Sequence, residues 1–505
     1  MKLKRKIPTT MATQHPDHAC EAFWHKGGAY IPIGEEAKES YRNFFELGIG
    51  EVMWDWEGKL VDESVLERFV AKNYEFFKKY PIGKDFFLTF RLPNPKVQTE
   101  FRMARALMNI ATSASMAKRI GWHTPPLFEV VVPMTENAEE LIEIQKAFKE
   151  IVSLKHPLNR FDTSLLNHIM IVPLFEQADT IINADKILEK YVKLHKKIFK
   201  ENPKYIRPFV ARSDPALNSG ILPTVMAIKI ALSRFKKFEK KFKIPMYPVI
   251  GCGTLPFRGG LNPIAPSRFI NEYKGVQTVT IQSAFRYDFP KAKVIKAIKK
   301  LDVELPKGEI VEITKTEEQE LTDAIRPFEN YYRKTIEGLA PEINQVASHI
   351  PRRRERVQHT GLFGYSRGIG KVSLPRAISF TCALYSLGIP PEIIGTGRGL
   401  AQARKDGTLK LIEKNYINLK HDLYFAGKFL YRDGLVGFAE KSKAWRDVLT
   451  DVEEIEKYLG RPLGPKYKNE IEHQRVSAKI HRAIKRGHKL GVLIENCACL
   501  RHSMG

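Results

Sequence analysis

The stretch MIVPLFEQADT, residues 170–180, is a run of apolar and β-prone residues that stops at a carboxylate, Glu176. RPFVARSDPALNSG, residues 207–220, does the same at Asp214. A short, nearly continuous apolar run reads as a strand buried on both faces, as in a parallel sheet covered by helices. Working outward, such runs recur at GIGEVMWDW, DFFLTF, LFEVVVPM, YIRPFVA, PMYPVIG and GVQTVTIQSAF. Helical patterns such as SVLERFVAKNYEFFKKY and AEELIEIQKAFKEIV separate them. Seven runs in all, between about residues 50 and 290, with PEIIGTG (391–397) as the candidate eighth, predict a (β/α)8 TIM-like barrel over a doubly wound sheet.

The runs end at Arg91, Thr135, Glu176, Asp214, Arg258 and Arg286, each about one βα unit after the last. In a closed barrel, polar groups at the C-terminal ends of successive strands converge on one mouth, where barrel enzymes keep their chemistry. Residues 1–300 are expected to supply the main part of the barrel. Residues 301–505 are expected to be mostly helical, with a basic glycine-rich loop at 364–377 and the last barrel strand at 391–398. No repeat or low-complexity linker is visible, so the expectation is one integrated domain with a large, mostly C-terminal helical layer.

Of 505 residues, 43% are hydrophobic, which suits a large core. The N-terminal MKLKRKIPTTMATQHPDHA passes from basic to polar without a signal-peptide apolar region, and no apolar run has the length of a membrane span. Five cysteines argue against a disulfide framework, and a reducing cytoplasm is the expected location. Lys+Arg 82 against Asp+Glu 57 gives a net charge of +25, which raises nucleic-acid binding as a rival reading. Much of that excess is lysine on helical faces, as in KILEKYVKLHKKIFKENPK, and the one compact basic block is PRRRER, 351–356. No zinc-finger, RNP or basic-zipper pattern accompanies it.

GCGTLPFRGG, 251–260, matches neither the dinucleotide fingerprint nor the P-loop. It remains a glycine-rich loop carrying Arg258, whose planar fork suits phosphate or carboxylate. GYSRGIGKVSLPRA, 364–377, contains Gly-x-Ser-x-Gly but lacks the strong strand that a nucleophile elbow needs. It reads instead as a basic lid or anion clamp with Arg367, Lys371 and Arg376. His15, Asp17, His18, Cys20 and His25 match no zinc spacing. His15, before a proline, reads either as a surface histidine or as a proton-transfer group laid over the barrel mouth. Glu176 and Asp214 among arginines suit a divalent cation that keeps waters and substrate oxygens, Mg²⁺ or Mn²⁺, or else a salt-bridge network without metal.

Several of these elements together resemble the archaeal-type, short form of phosphoenolpyruvate carboxylase. TQHPDHA is similar to that family's N-terminal Thr-x-His-Pro element, PLFEQ and ARSDPALNSG to its two metal-ligand strands, GCGTLPFRGGL to its catalytic glycine-rich loop, and GYSRGIGKVSLPRAISF to elements of the longer enzymes. The five stand in the family's order along essentially the whole chain. The resemblance implies carboxylation of phosphoenolpyruvate by bicarbonate to oxaloacetate and phosphate, through carboxyphosphate and a metal-stabilised enolate. It implies Glu176 and Asp214 as metal ligands, Arg91 and Arg376 on the phosphate, Arg258 and Arg367 on bicarbonate and carboxyphosphate, and His15 as the catalytic histidine; Lys371 is a further substrate-binding candidate. It also implies a homotetramer. The longer enzymes carry histidine and arginine where this chain has Ile250 and Cys252, so contacts made there must come from elsewhere. Another metal-dependent barrel acting on phosphoenolpyruvate or an oxo-acid is the alternative, but it would need a nucleotide or thioester partner, and no nucleotide fingerprint is present.

Overall fold

Strands of three to six residues, each nearly all buried, alternate with amphipathic helices and close on themselves as a parallel barrel. The computed structural model describes residues 5–56, 58–59, 63–94, 101–154, 162, 164–356, 372–505 and, in secondary structure alone, 367–369. The barrel strands are β1 (Thr10–Ala12), β2 (Glu51–Asp55), β3 (Phe87–Arg91), β4 (Glu129–Val132), β5 (Met170–Phe175), β6 (Phe209–Ala211), β7 (Val249–Gly251) and β8 (Thr278–Ile281). β1 closes it, pairing Met11 with Glu51 on one side and with Thr280 on the other.

The eighth strand is thus Thr10–Ala12 and not 391–397. PEIIGTG forms a turn and the start of the helix Thr396–Lys405, and its buried Ile393 and Ile394 belong to the helical layer's core. β1 carries three residues between a basic and a polar stretch, too few to show a pattern.

Helices form where apolar residues recur at three and four. In Ala138–Val152, Leu141, Ile142, Gln145, Phe148 and Val152 face inward, and the Asn137 side chain caps the first turn by accepting the Glu140 N–H at 3.0 Å. One large apolar core lies between the strands and such helices. A small one, including Met11, Met53, Leu174 and Phe209, fills the barrel interior. A third sits among the C-terminal helices around Lys315–Ala347, 33 residues long and opened by a Thr314/Glu317 capping box.

Charge closes the barrel's lower end. Arg207 donates to Glu51 at 2.7 Å and to Glu129 at 2.6 Å, all three fully buried, and Thr278 completes the set at 3.1 Å. With its lower end sealed, the barrel opens at the C-terminal ends of its strands. No helix among the described residues is long and apolar enough to cross a membrane.

Candidate active site

At that open end lies a cavity of about 440 Å³, and seven of the strand-end segments reach it, all but that of β4, with β8 doing so through Thr280 and Gln282. His15 follows β1, Asp55 ends β2, Arg91 ends β3, Glu176 follows β5, Asp214 follows β6 and Arg258 follows β7. From the helical layer come Arg376, directly before the helix Ala377–Ser386, and the segment Ile350–Arg356. The structure therefore gathers His15, Arg91, Glu176, Asp214, Arg258 and Arg376 around one space.

Two strand-end residues singled out in the sequence do not reach it. Thr135 turns back to donate to the Val132 carbonyl at 3.0 Å. Arg286 is buried beneath the mouth, donating to the Thr13 carbonyl at 2.6 Å and to Asn43 at 2.8 Å, so it fixes the chain leading to His15. Arg367 opens β9 (Arg367–Ile369), which pairs antiparallel with β10 (Val372–Leu374), Arg367 standing opposite Leu374; its side chain lies outside the described residues, as does Lys371.

His15 lies on the loop that continues β1, its Nδ1 2.7 Å from Thr13 Oγ1. Burial, then the charges of Arg91 and Arg258, hold its pKa well below the ordinary imidazole range. It is a neutral imidazole in a positive field. Arg91 donates through Nε and Nη2 to the two oxygens of Asp55 at 2.9 and 2.6 Å. Against the upward push of burial, Arg91 and then Lys59 keep Asp55 below the usual carboxylate range.

Arg258 is anchored on every side. Its Nε donates to Ser213 Oγ at 3.1 Å, one terminal nitrogen to Asp17 at 3.3 Å and to the Gly505 carbonyl oxygen, and the other to Gln282. The turn that carries it, Pro256–Arg258, is pinned by Arg212, which donates to the carbonyls of Phe257 and Pro256 at 3.0 and 3.2 Å. Gly259 has φ +121°, and a Cβ there would lie 2.6 Å from Cys252 Cβ. Only glycine fits that position. Ile250 and Cys252 are both buried, Ile250 in the layer outside the barrel and Cys252 against Thr280, whose hydroxyl accepts the Cys252 N–H at 2.8 Å. Burial pushes the Cys252 thiol up to about 12, so it is no nucleophile.

Glu176 accepts the Met134 N–H at 2.8 Å and Asp214 stands in the first turn of the helix Ser213–Ser219; both line the cavity. Among the described residues no three His, Cys, Asp or Glu cluster as metal ligands. Two carboxylates lining one cavity are a hard oxygen set. They fit a divalent ion of the Mg²⁺ or Mn²⁺ kind, which takes its other ligands from water and substrate, and not a closed zinc site.

Sequence reasoning missed Asp55, Gln282 and above all PRRRER. That block is not a surface patch. Arg354 is buried and donates to Glu39 and Glu36 at 2.7 and 3.0 Å, Arg353 donates to the His18 carbonyl at 3.0 Å, and Arg356 to the Gln14 carbonyl at 2.9 Å. The usable signal was composition: an all-arginine cation run suits fixed, bidentate pairing, whereas the helical faces use lysine.

Residues 7–505 match the protein-family model described as phosphoenolpyruvate carboxylase. The chain is 35% identical over 504 residues to a phosphoenolpyruvate carboxylase of Leuconostoc mesenteroides, covering 99% of each chain. It is 38% identical to one of Metallosphaera sedula, with 95% of this chain and 96% of that one covered, and 39% identical to one of Pyrococcus furiosus, with 90% and 95% covered. The strand-end carboxylates, the half-buried histidine and the fixed arginines thus occur in a sequence that matches these relatives over nearly its full length, and the chain belongs to the phosphoenolpyruvate carboxylase family.

Proposed function

We propose that the chain carboxylates phosphoenolpyruvate with bicarbonate, giving oxaloacetate and inorganic phosphate, and that the cavity at the barrel mouth is where it does so. The observation that carries this reading is the convergence of Arg91, Arg258 and Arg376 with two carboxylates and a neutral histidine on one space. Such a lining selects a small polyanion bearing phosphate and carboxylate together.

In the first half, a bicarbonate oxygen attacks the phosphorus, the bond to the enol oxygen breaks, and carboxyphosphate and the pyruvate enolate result. Arg91 and Arg376 bind and orient the phosphate; Arg258, and Arg367 from the ribbon, place bicarbonate against it. Glu176 and Asp214 would hold Mg²⁺ or Mn²⁺, which when bound supplies positive charge beside the substrate oxygens. In the second half, neutral His15 takes the carboxyl proton of carboxyphosphate, which separates into CO₂ and phosphate. The enolate carbon then attacks CO₂. Water and stray protons must be kept away, because a protonated enolate ends as pyruvate.

Bicarbonate labelled with ¹⁸O tests this sequence. The account expects each phosphate released to carry one bicarbonate oxygen, since the attacking oxygen stays on phosphorus. Phosphate without label would remove carboxyphosphate from the pathway.

A further inference from the structure

Outside the chemistry above, two thiols meet where both ends of the chain approach the site. Cys20 Sγ and Cys499 Sγ are 4.0 Å apart, 479 residues apart in sequence. Cys20 ends the segment that carries His15 and Asp17. Its backbone is held by Asp288, which accepts the Ala19 N–H at 2.8 Å and the Cys20 N–H at 2.8 Å. Cys499 lies on the helix Gly491–Arg501 and is exposed.

From that helix the chain runs on to residues that hold the catalytic segment: the Met504 N–H donates to the Asp17 carbonyl at 2.7 Å, and Gly505 accepts from Arg258. We propose that Cys20 and Cys499 are a reversible redox site, closed to a disulfide by a peroxide and clamping the His15 segment to the C-terminal helix. The reading goes beyond the carboxylation and does not depend on it.

Reach and reactivity both favour this pair. Rotation about Cα–Cβ of an exposed cysteine moves its sulfur by more than the roughly 2 Å separating van der Waals contact from a bond of about 2.05 Å. The thiol of Cys20, donating toward Cys499, and the charge of Arg353 bring Cys499 down to about 7 against the effect of its burial, so a large share of it is thiolate near neutral pH. Cys252, Cys382 and Cys497 are buried.

The chemistry balances with peroxide as oxidant. The Cys499 thiolate attacks one peroxide oxygen, the O–O bond breaks, sulfur is oxidised to sulfenic acid, and the other oxygen leaves as water after taking a proton. Cys20 sulfur then attacks the Cys499 sulfur, the S–O bond breaks, and the hydroxide leaves as a second water with the Cys20 proton. Two thiols and one peroxide become one disulfide and two waters.

The test treats the reduced full-length protein with equimolar hydrogen peroxide, blocks remaining thiols, and digests without reductant. The expected result is a Cys20–Cys499 linked peptide pair, removed by dithiothreitol, with three thiols still titratable of the five. The oxidised protein should melt about 5 °C higher than the reduced one, because a very long loop is closed in the unfolded chain. Cys499→Ser and Cys20→Ser should each abolish the peroxide-dependent rise, whatever their own melting points. Sulfinic acid at Cys499 beside a free Cys20, a linked pair without the rise, or a rise that survives either substitution would overturn the proposal.

Discussion

Asp55 and Arg91 are register partners, the last residues of two neighbouring strands, and their side chains also join through two parallel hydrogen bonds of 2.9 and 2.6 Å. A guanidinium gripped this way is held in a fixed orientation before substrate arrives. Asp55→Ala should therefore raise KM for phosphoenolpyruvate and lower kcat/KM by about 10- to 100-fold, roughly 1.4–2.7 kcal/mol, while leaving the fold intact. Arg91→Lys, which keeps the charge and loses the fork, should cost at least as much. Steady-state kinetics with circular dichroism as the folding control decide both.

The depressed pKa of His15 predicts the acid side of the pH profile. Burial and the neighbouring arginines disfavour the imidazolium, so the neutral base persists to well below pH 6.5, and the acid limb of kcat/KM should lie there. Removing one positive neighbour, as in Arg376→Gln, favours the protonated form and should move that limb to higher pH. A limb that stays in place, or moves down, would show that another group controls it.

The seal under the barrel predicts a stability effect without a site. Arg207 pairs with two buried acids, Glu51 and Glu129, the second of which also pairs with Arg5. Arg207→Met leaves both carboxylates buried with their principal cation gone, which should destabilise by about 3–5 kcal/mol. Chemical denaturation reads this directly, and a loss below about 1 kcal/mol would mean that the acids find other partners.

His18 predicts acid sensitivity of the folded state. Burial, then Arg354, holds its pKa at about 3, while its unfolded value is near 6.5. The unfolded chain therefore binds more protons between those values, so this contribution is present above about pH 6.5 and is lost as pH falls below it. The melting temperature should drop on going from pH 7 to pH 5, and His18→Asn should flatten that slope.

How much of this was legible beforehand follows from what each signal consists of. The strands β2 to β8 announce themselves because parallel strands covered on both faces are apolar throughout, and Glu176 and Asp214 stand out as the charges that end two of them. β1 was not legible: three residues carry no periodicity, and only barrel closure requires them, whereas Ile393 and Ile394 look like a strand because a helical core also wants buried apolar residues. His15 was seen by type but its position at the end of β1 was not. The Arg353–Arg354 cluster was hidden for a different reason. Its partners Glu36 and Glu39 lie more than 300 residues away, so that nothing local distinguishes a buried ion-pair network from a basic patch.

The role of the strand-end acids and the identity of the reaction meet in one assay: oxaloacetate formed from phosphoenolpyruvate and bicarbonate with Mg²⁺, followed through malate dehydrogenase, for the native chain and for Asp214→Asn. The account predicts metal-dependent oxaloacetate from the native chain and at least a 100-fold loss in the variant, with a matching loss of Mn²⁺ bound as read by its electron spin resonance signal. A folded native protein that binds Mn²⁺ and forms no oxaloacetate, or an Asp214→Asn variant with undiminished rate and metal binding, would contradict it.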